Sequence, residues 1–289
     1  MSVCKVSRVG TVRVAVAQIE PALGENERNL GVCLARLEEA AAAGAELLVL
    51  PECSIPGYVF ESLDEARPYA EPVPGPATDA FAAACARLGI HVVCGLLEAD
   101  GDDVCNTAVL VGPDGLIGSY RKTHLPFLGV DRFTRPGDEL ALFDTPLGRI
   151  AIEICYDLRF PELTRSLALA GADIVVLPTN WPVAAQLNAE LLAPARAYEN
   201  RIYLLVANRV GRERTAEFCG RSQIVDPNGA RLAETDTTSE ALLVADIDIE
   251  KARDKSIIPA PGEYEMHLFG HRRPELYGAL TQDAEVVTR

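Results

Sequence analysis

The chain has 289 residues, enough for one large domain or two small ones, and its 48% hydrophobic content is ample for a buried core. Its 42 acidic against 27 basic residues give a formal charge of -15, which argues against nucleic-acid grooves and anionic membrane surfaces, since both need clustered Lys and Arg. Eight cysteines, at 4, 33, 53, 85, 94, 105, 155 and 219, form no C-x-x-C pair and have no histidine cluster beside them, so neither a metal site nor a disulfide framework is expected. The N-terminal stretch MSVCKVSRVG lacks an apolar signal core, and no apolar run reaches the roughly 18 residues that a membrane span needs. A soluble cytoplasmic protein with reduced thiols is the expectation.

The first strand is read over Val12–Ile19, where valine and alanine alternate with small or polar residues. A helix over Glu25–Ala43 follows, with Leu30, Cys33, Leu34, Leu37, Ala40 and Ala41 at helical spacing and Gly44 as its stop. Glu46–Leu50 is a short apolar strand that ends at Pro51-Glu52, which makes a right-handed βαβ opening. Cys53–Gly75, rich in Pro, Gly, Tyr and Glu, is a long loop of the kind that lines a site. Next come a helix over Ala77–Leu88 and a strand over His91–Glu98. Then VCNTAVLVG and LIGSYRKTHL form a hairpin about Pro113-Asp114-Gly115, with Lys122 near the end of the returning strand.

Pro126–Asp138 is a second long loop, and Asp144–Gly148 turns the chain into an apolar strand that ends at Cys155. The pattern continues with a helix over Pro161–Ala170, a strand DIVVLP, a loop TNWP, a helix over about Ala184–Asn200 and a strand IYLLVAN. A hairpin turns at DPNG, and ALLVADI is the last full strand. The tail from Ala252 is polar, with Pro, Gly and aromatics, and reads as an arm. Strand and helix alternate with hairpins interspersed, and no Gly/Ser linker separates the halves. The expected fold is α/β: a single domain over 1–289 with its core at about 11–250, built as a four-layer α-β-β-α sandwich with two mixed β-sheets. Residues 251–289 form the C-terminal arm. There is no G-x-G-x-x-G fingerprint, and GPDG and DPNG are hairpin turns by context.

Three polar residues share one kind of position, each just past an apolar strand: Glu52, Lys122 and Cys155. In IAIEICYDLRFPE, strand alternation puts Ala151, Glu153 and Cys155 on one face, and Pro161 suits the first turn of a helix. Taken alone, this stretch leaves Cys155 open between a buried core thiol and a nucleophile. A thiol with an ordinary pKa of about 8.5 is mostly protonated at neutral pH, so a nucleophilic cysteine needs a base or a cation nearby. Glu52 can take the proton, Lys122 can favour the thiolate, and Lys122 with a backbone N–H such as that of Tyr156 can stabilise an oxyanion. The four histidines, His91, His124, His267 and His271, do not resemble a triad arrangement, and His124 reads as structural.

PEC with Glu52, YRKTHLP with Lys122 and ICYDLRFPE with Cys155 resemble, in order and spacing, the three signatures of the nitrilase or carbon-nitrogen hydrolase superfamily. The resemblance runs from VAQIEP through LPTNWP, ANRVG and GRSQIVDPNG to RRPELY, nearly the whole chain. It implies a Glu-Lys-Cys triad in an α-β-β-α sandwich that needs no metal or organic cofactor. Glu52 is then the general base, Lys122 the oxyanion stabiliser and Cys155 the nucleophile that forms a thioester and releases ammonia or an amine. Many members carry a second glutamate in the loop after the lysine; here the aligned residue in FLGVDRF is Asp131, one methylene shorter. Glu153, two residues before Cys155, is read as a buried carboxylate with a partner.

CYDLRFPE and LPTNWP resemble the amidase branch, including enzymes of ω-amides of dicarboxylic acids. Arg159 or Arg132 can bind a substrate carboxylate or make a surface ion pair, and Tyr58, Tyr156, Asn180 and Trp181 are candidates for the pocket wall. Three functions remain open: amidase or N-carbamoyl amidohydrolase, acyltransferase through the same thioester, and non-catalytic scaffold. The triad disfavours the last. A small-molecule amide is the expected partner, and the resemblance further implies a homodimer in which the RRPELY tail reaches over the second copy.

Overall fold

The computed structural model describes residues 10–235 and 238–282; Cys4, the rest of the N-terminal stretch read above and residues 283–289 lie outside it. Packing divides the chain into one unit ending at Arg253 and a small one beginning at Asp254. In the first unit the expected βαβ opening is present: β1 (Thr11–Gln18), α1 (Asn26–Ala42) and β2 (Leu47–Val49). α1 buries Cys33, Leu37 and Ala40 on one stripe, and Gly44 turns the chain out at φ 78°, where glycine has no steric cost. The Cys53–Gly75 loop contains a short helix, α2 (Leu63–Ala66), and a 3-10 turn (Arg67–Tyr69) before α3 (Pro76–Leu88). β3 (His91–Asp100), β4 (Asp103–Gly112) and β5 (Gly115–Arg121) then form an antiparallel meander.

β6 (Ala141–Thr145) and β7 (Gly148–Ile152) form a hairpin, followed by α4 (Pro161–Leu169), β8 (Ile174–Thr179), α5 (Ala193–Asn200) and β9 (Tyr203–Asn208). The helix expected over 184–200 is in fact three pieces. A 3-10 turn at Val183–Ala185 and a π-helical segment at Asn188–Leu192 precede the α-helix proper. Pro194, at the start of α5, donates no backbone hydrogen bond, so the ladder cannot run unbroken through it. Two small strands missed by the sequence reading, β10 (Arg212–Glu213) and β11 (Ala216–Glu217), make a hairpin before β12 (Gln223–Val225), β13 (Arg231–Glu234), β14 (Ala241–Asp248) and α6 (Ile249–Arg253).

Two six-stranded sheets result, ordered β14-β1-β2-β3-β4-β5 and β13-β12-β9-β8-β7-β6. Both are mixed, with parallel centres β1-β2-β3 and β7-β8-β9 and antiparallel flanks. One face of the first sheet, carrying Ala15, Ala17, Leu48, Val92, Cys94 and Val109, packs on Cys33, Leu37, Phe81 and Cys85 of α1 and α3. The alternate residues Val14, Val16, Leu47 and Val49 are equally buried on the other face, where β1 and β2 meet β8 and β9 of the second sheet. The four-layer reading therefore holds, because both faces of each central strand are apolar. The parallel pairings align the strand ends that carry function. β5 runs the same way as β2, since two antiparallel pairings separate β5 from β3.

The second unit holds a hairpin, β15 (Ser256–Ala260) and β16 (Tyr264–His267), then two 3-10 turns. This unit begins at Asp254, within the arm expected over 251–289. α6 belongs to the first unit, where Ala252 is wholly buried and Arg253 pairs with Asp173.

Candidate active site

β2 ends at Val49, and Leu50 still bonds Val93 O before the chain turns at Pro51. Glu52 is seated by close approach: a Cβ on Gly95 of β3 would lie 2.6 Å from Glu52 Cα and 2.5 Å from Cys53 N, so only glycine lets the turn press onto the sheet. Lys122 follows β5 directly, and its backbone N–H continues the ladder to Asn106 O of β4 at 2.8 Å. Both side chains are cut off from water.

The Lys122 ammonium donates to Glu52 Oε1 at 2.8 Å and to Asp131 Oδ2 at 2.5 Å. Asn106 Nδ2 donates to the same Glu52 Oε1 at 2.7 Å and to the other oxygen of Asp131, Oδ1, at 2.8 Å. Tyr58 donates its hydroxyl to Asp131 Oδ2 at 2.8 Å. Burial opposes the charge on Lys122, yet Asp131 and Glu52 together hold its pKa well above the ordinary lysine value. Burial pushes the Glu52 carboxyl up, with Lys122 and Asn106 opposing and Asp131 adding to the rise. Glu52 Oε2, buried, has no hydrogen-bond partner among the described residues.

The Cys155 strand is shorter than expected. β7 stops at Ile152, Glu153 N still bonds Val176 O, and Cys155 opens a 3-10 turn (Cys155–Arg159) at φ 50°. A left-handed φ is costly for a residue with a Cβ, by about 1–2 kcal/mol. It takes Cys155 out of the strand, so the expected shared strand face of Glu153 and Cys155 does not apply. Burial pushes the Cys155 thiol well up, and Glu52 adds to this, while Lys122, the Thr179 hydroxyl and the Asn180 backbone N–H oppose. The resting thiol is therefore protonated near neutral pH and needs a base at the moment it attacks.

Glu153 is wholly buried, and neither carboxyl oxygen meets a hydrogen-bond partner of full geometry among the described residues, so the expected partner is reduced to the Thr164 hydroxyl acting on the carboxyl. Burial lifts its pKa to about 8, against the opposing Thr164 hydroxyl, so at pH 7 it is mainly the neutral acid. Of the pocket-wall candidates, Tyr58, Asn180 and Trp181 are buried, and the Asn180 amide and Trp181 Nε1 have no partner among the described residues. Tyr156 is half-buried, edge-on to Phe160 with ring centres 5.2 Å apart. Arg132 spends its guanidinium on Gly129 O and Phe60 O. Arg159 is exposed and has no ion pair among the described residues.

Two residues outside the sequence reading complete the frame. Asn106 lies mid-strand in VCNTAVLVG, where a buried amide amid apolar residues was the available signal. Glu213, from the missed hairpin, accepts from the backbone N–H groups of Tyr58 at 2.9 Å and Val59 at 2.5 Å, and pairs with Arg209 at 2.7 Å. It thereby fixes the loop that carries the Tyr58 phenol. Among the described residues no group of three or more His, Cys, Asp or Glu side chains is arranged to hold a metal ion.

The sandwich and its buried carboxylate-lysine-thiol cluster define a class, hydrolases of carbon-nitrogen bonds other than peptide bonds. The family model for carbon-nitrogen hydrolases matches residues 13–255, and the chain belongs to that family, within the nitrilase superfamily. It is 38% identical over 268 residues to a nitrilase of Pyrococcus abyssi, covering 92% of this chain and 99% of the relative. It is 32% identical over 282 residues to the omega-amidase of Bos taurus, covering 93% and 98%. It also superposes, with a TM-score of 0.77 at 26% identity, on a glutamate-to-glutamine mutant of the amidase from Nesterenkonia sp. AN1; 93% of this chain and 97% of that one are covered. That structure carries the acetamide moiety of fluoroacetamide covalently added at the active-site cysteine.

Proposed function

We propose that this carbon-nitrogen hydrolase is an amidase that works through a Cys155 thioester, with small ω-amides of dicarboxylic acids as its substrate class. The observation that carries the reading is the Glu52 carboxyl. One oxygen is held by Lys122 and Asn106, the other is buried with no hydrogen-bond partner among the described residues, and the group acts electrostatically on the Cys155 thiol.

Glu52 takes the thiol proton as Sγ attacks the amide carbon. The oxyanion meets the Lys122 ammonium and the Tyr156 backbone N–H, and one such donor contributes about 3–4 kcal/mol to the transition state. Collapse returns the proton from Glu52 to the leaving nitrogen, so ammonia or an amine departs and a thioester remains. Glu52 then takes a proton from water, hydroxide adds to the thioester carbon, and the acid leaves as sulfur is reprotonated. Asp131 keeps the ammonium aimed, with Tyr58 behind it. The covalent addition at the cysteine of the Nesterenkonia amidase supports the nucleophile assignment.

Similarity to the bovine omega-amidase supports the substrate class. Arg159, exposed and without an ion pair, is the proposed partner of the distal carboxylate, and Tyr156, Asn180 and Trp181 line the acyl chain. The same proposal includes a cytoplasmic homodimer contacted by the arm, whose Leu276 and Leu280 expose 67% and 61% of their surface.

The test is ammonia release from ω-amides, N-carbamoyl amino acids, aliphatic amides and nitriles, with intact-mass detection of the acyl adduct. ω-Amides are expected to lead, with an adduct in the wild type and none in Cys155→Ala. Full turnover by Cys155→Ala sinks the mechanism. A preference for nitriles or carbamoyl compounds sinks the substrate class.

A further inference from the structure

Asp157 stands two residues past Cys155, inside the 3-10 turn that Cys155 opens, and is wholly buried. Its two side-chain oxygens take hydrogen bonds from two separate parts of the chain. On the cysteine side, Oδ2 accepts from the Ile154 backbone N–H at 2.9 Å, while the Asp157 N–H donates back to Ile154 O at 3.0 Å. This reciprocal pair spans Cys155 and closes the turn in which its φ is 50°. On the lysine side, the same Oδ2 accepts from the Tyr120 hydroxyl at 2.8 Å. Oδ1 accepts from the His124 backbone N–H at 3.1 Å and the Thr123 hydroxyl at 3.2 Å, and lies 2.7 Å from His124 Nδ1. Tyr120, Thr123 and His124 bracket Lys122, two residues before it and one and two after.

Nothing else described joins these two strand ends so directly. β5 and β7 lie in different sheets, and β5 and β6 are each an edge, so no ladder hydrogen bond sets the height of Lys122 against that of Cys155. The aromatic rings reinforce the link: His124 stacks on Phe160, which closes the same 3-10 turn, with ring centres 3.7 Å apart.

We propose that Asp157 is a positioning residue, clamping the left-handed Cys155 turn to the strand end that carries Lys122, so that thiol and ammonium are held in reacting register. The proposal rests on the assignment of Cys155 as nucleophile. Asp157 touches neither substrate nor reacting atoms and acts through Ile154 on one side and through Tyr120, Thr123 and His124 on the other. A displacement of about 1 Å in such a site costs on the order of 100-fold in rate.

The test compares wild type, Asp157→Asn, Tyr120→Phe and their double variant, using fluoroacetamide as the thiol probe. Adduct formation by intact mass, kcat and KM on the preferred amide, and the thermal midpoint are read together. Asp157→Asn puts an N–H₂ among donors, so it is expected to slow adduct formation and kcat together by about 100-fold, with KM within about threefold. Tyr120→Phe removes only a lysine-side bond and is expected to lose about 3- to 10-fold. The double variant is expected to match Asp157→Asn within about twofold, since Tyr120 acts through Asp157. Adduct formation within twofold of wild type in a folded Asp157→Asn overturns the proposal, as does a double variant whose losses multiply. If Asp157→Asn does not fold, Tyr120→Phe and Thr123→Val decide: wild-type rates in both overturn it. An adduct that persists in Cys155→Ala is a different failure, which removes the nucleophile assignment and the proposal with it.

Discussion

Asp131 Oδ2 lies 2.5 Å from Lys122 Nζ, so the aspartate reaches the ammonium despite its short side chain. The backbone supplies the missing methylene. Asp131 rides on a 3-10 turn (Gly129–Arg132) that is drawn inward by the bond from Val130 N–H to Tyr58 O at 3.0 Å. Gly129, at φ 51°, sits where a Cβ would come within 2.4 Å of the Tyr58 ring, which lets the turn come that close.

Asp131→Asn is accordingly expected to lower kcat by about 100-fold or more, because it halves the negative charge on Lys122 and loosens its aim. Asp131→Glu is not expected to rescue fully, since the turn is already at contact distance. Steady-state kinetics beside a thermal melt check both, and wild-type kcat in Asp131→Asn would show that Glu52 alone holds the lysine.

Asn106→Ala removes the donor that stabilises ionised Glu52. A lost hydrogen bond to the charged form raises the pKa, so the acid limb of the kcat/KM profile should move to higher pH. An unmoved limb counts against Glu52 as the titrating base.

Glu153 links stability to pH. Its folded pKa, about 8, is above the ordinary carboxyl value of 4.5, so the folded protein holds a proton that the unfolded chain gives up. Between those two pH values the residue costs stability as pH rises, by roughly 1.4 kcal/mol per pH unit. Glu153→Gln should raise the thermal midpoint more at pH 8 than at pH 5. An equal change at both pH values would refute the assignment.

The Glu213–Arg209 pair is buried, with Arg209 also 4.3 Å over the Phe218 ring and bonded to Pro21 O at 2.9 Å. Glu213→Ala leaves that charge and two backbone donors unpaired, and is expected to cost about 3–5 kcal/mol in urea unfolding. A loss under about 1 kcal/mol would mean that water replaces the carboxylate without penalty.

The architecture was legible because helical and strand periodicities were clean, as in Leu30, Cys33, Leu37 and Ala40 against the alternation of β1. The errors were local and have physical causes. β10 and β11 are two residues each, below the length at which period two can be seen. The π-helical piece before Pro194 shares its spacing with an ordinary helix over so few turns. The second unit begins three residues after the expected start of the arm at 251 because α6 is short and charged, and burial of Ile249 and Ala252 with the Arg253–Asp173 pair ties it to the main unit.

By itself the sequence determined the alternation of elements, the family, and which glutamate, lysine and cysteine fall at strand ends, because each depends on residues near one another in the chain. The tertiary structure alone decided what surrounds them. Asn106 bridges two carboxylates 54 and 25 residues away, Glu213 holds Tyr58 from a distance of 155 residues, and Asp157 spans 37 residues to Tyr120. A hydrogen bond between distant segments leaves no period or spacing in the sequence, since it depends on where two independent strand ends meet. For the same reason the reach of Asp131 could be judged only once the backbone beneath it was placed, and the weak partnering of Glu153 only once its surroundings were known.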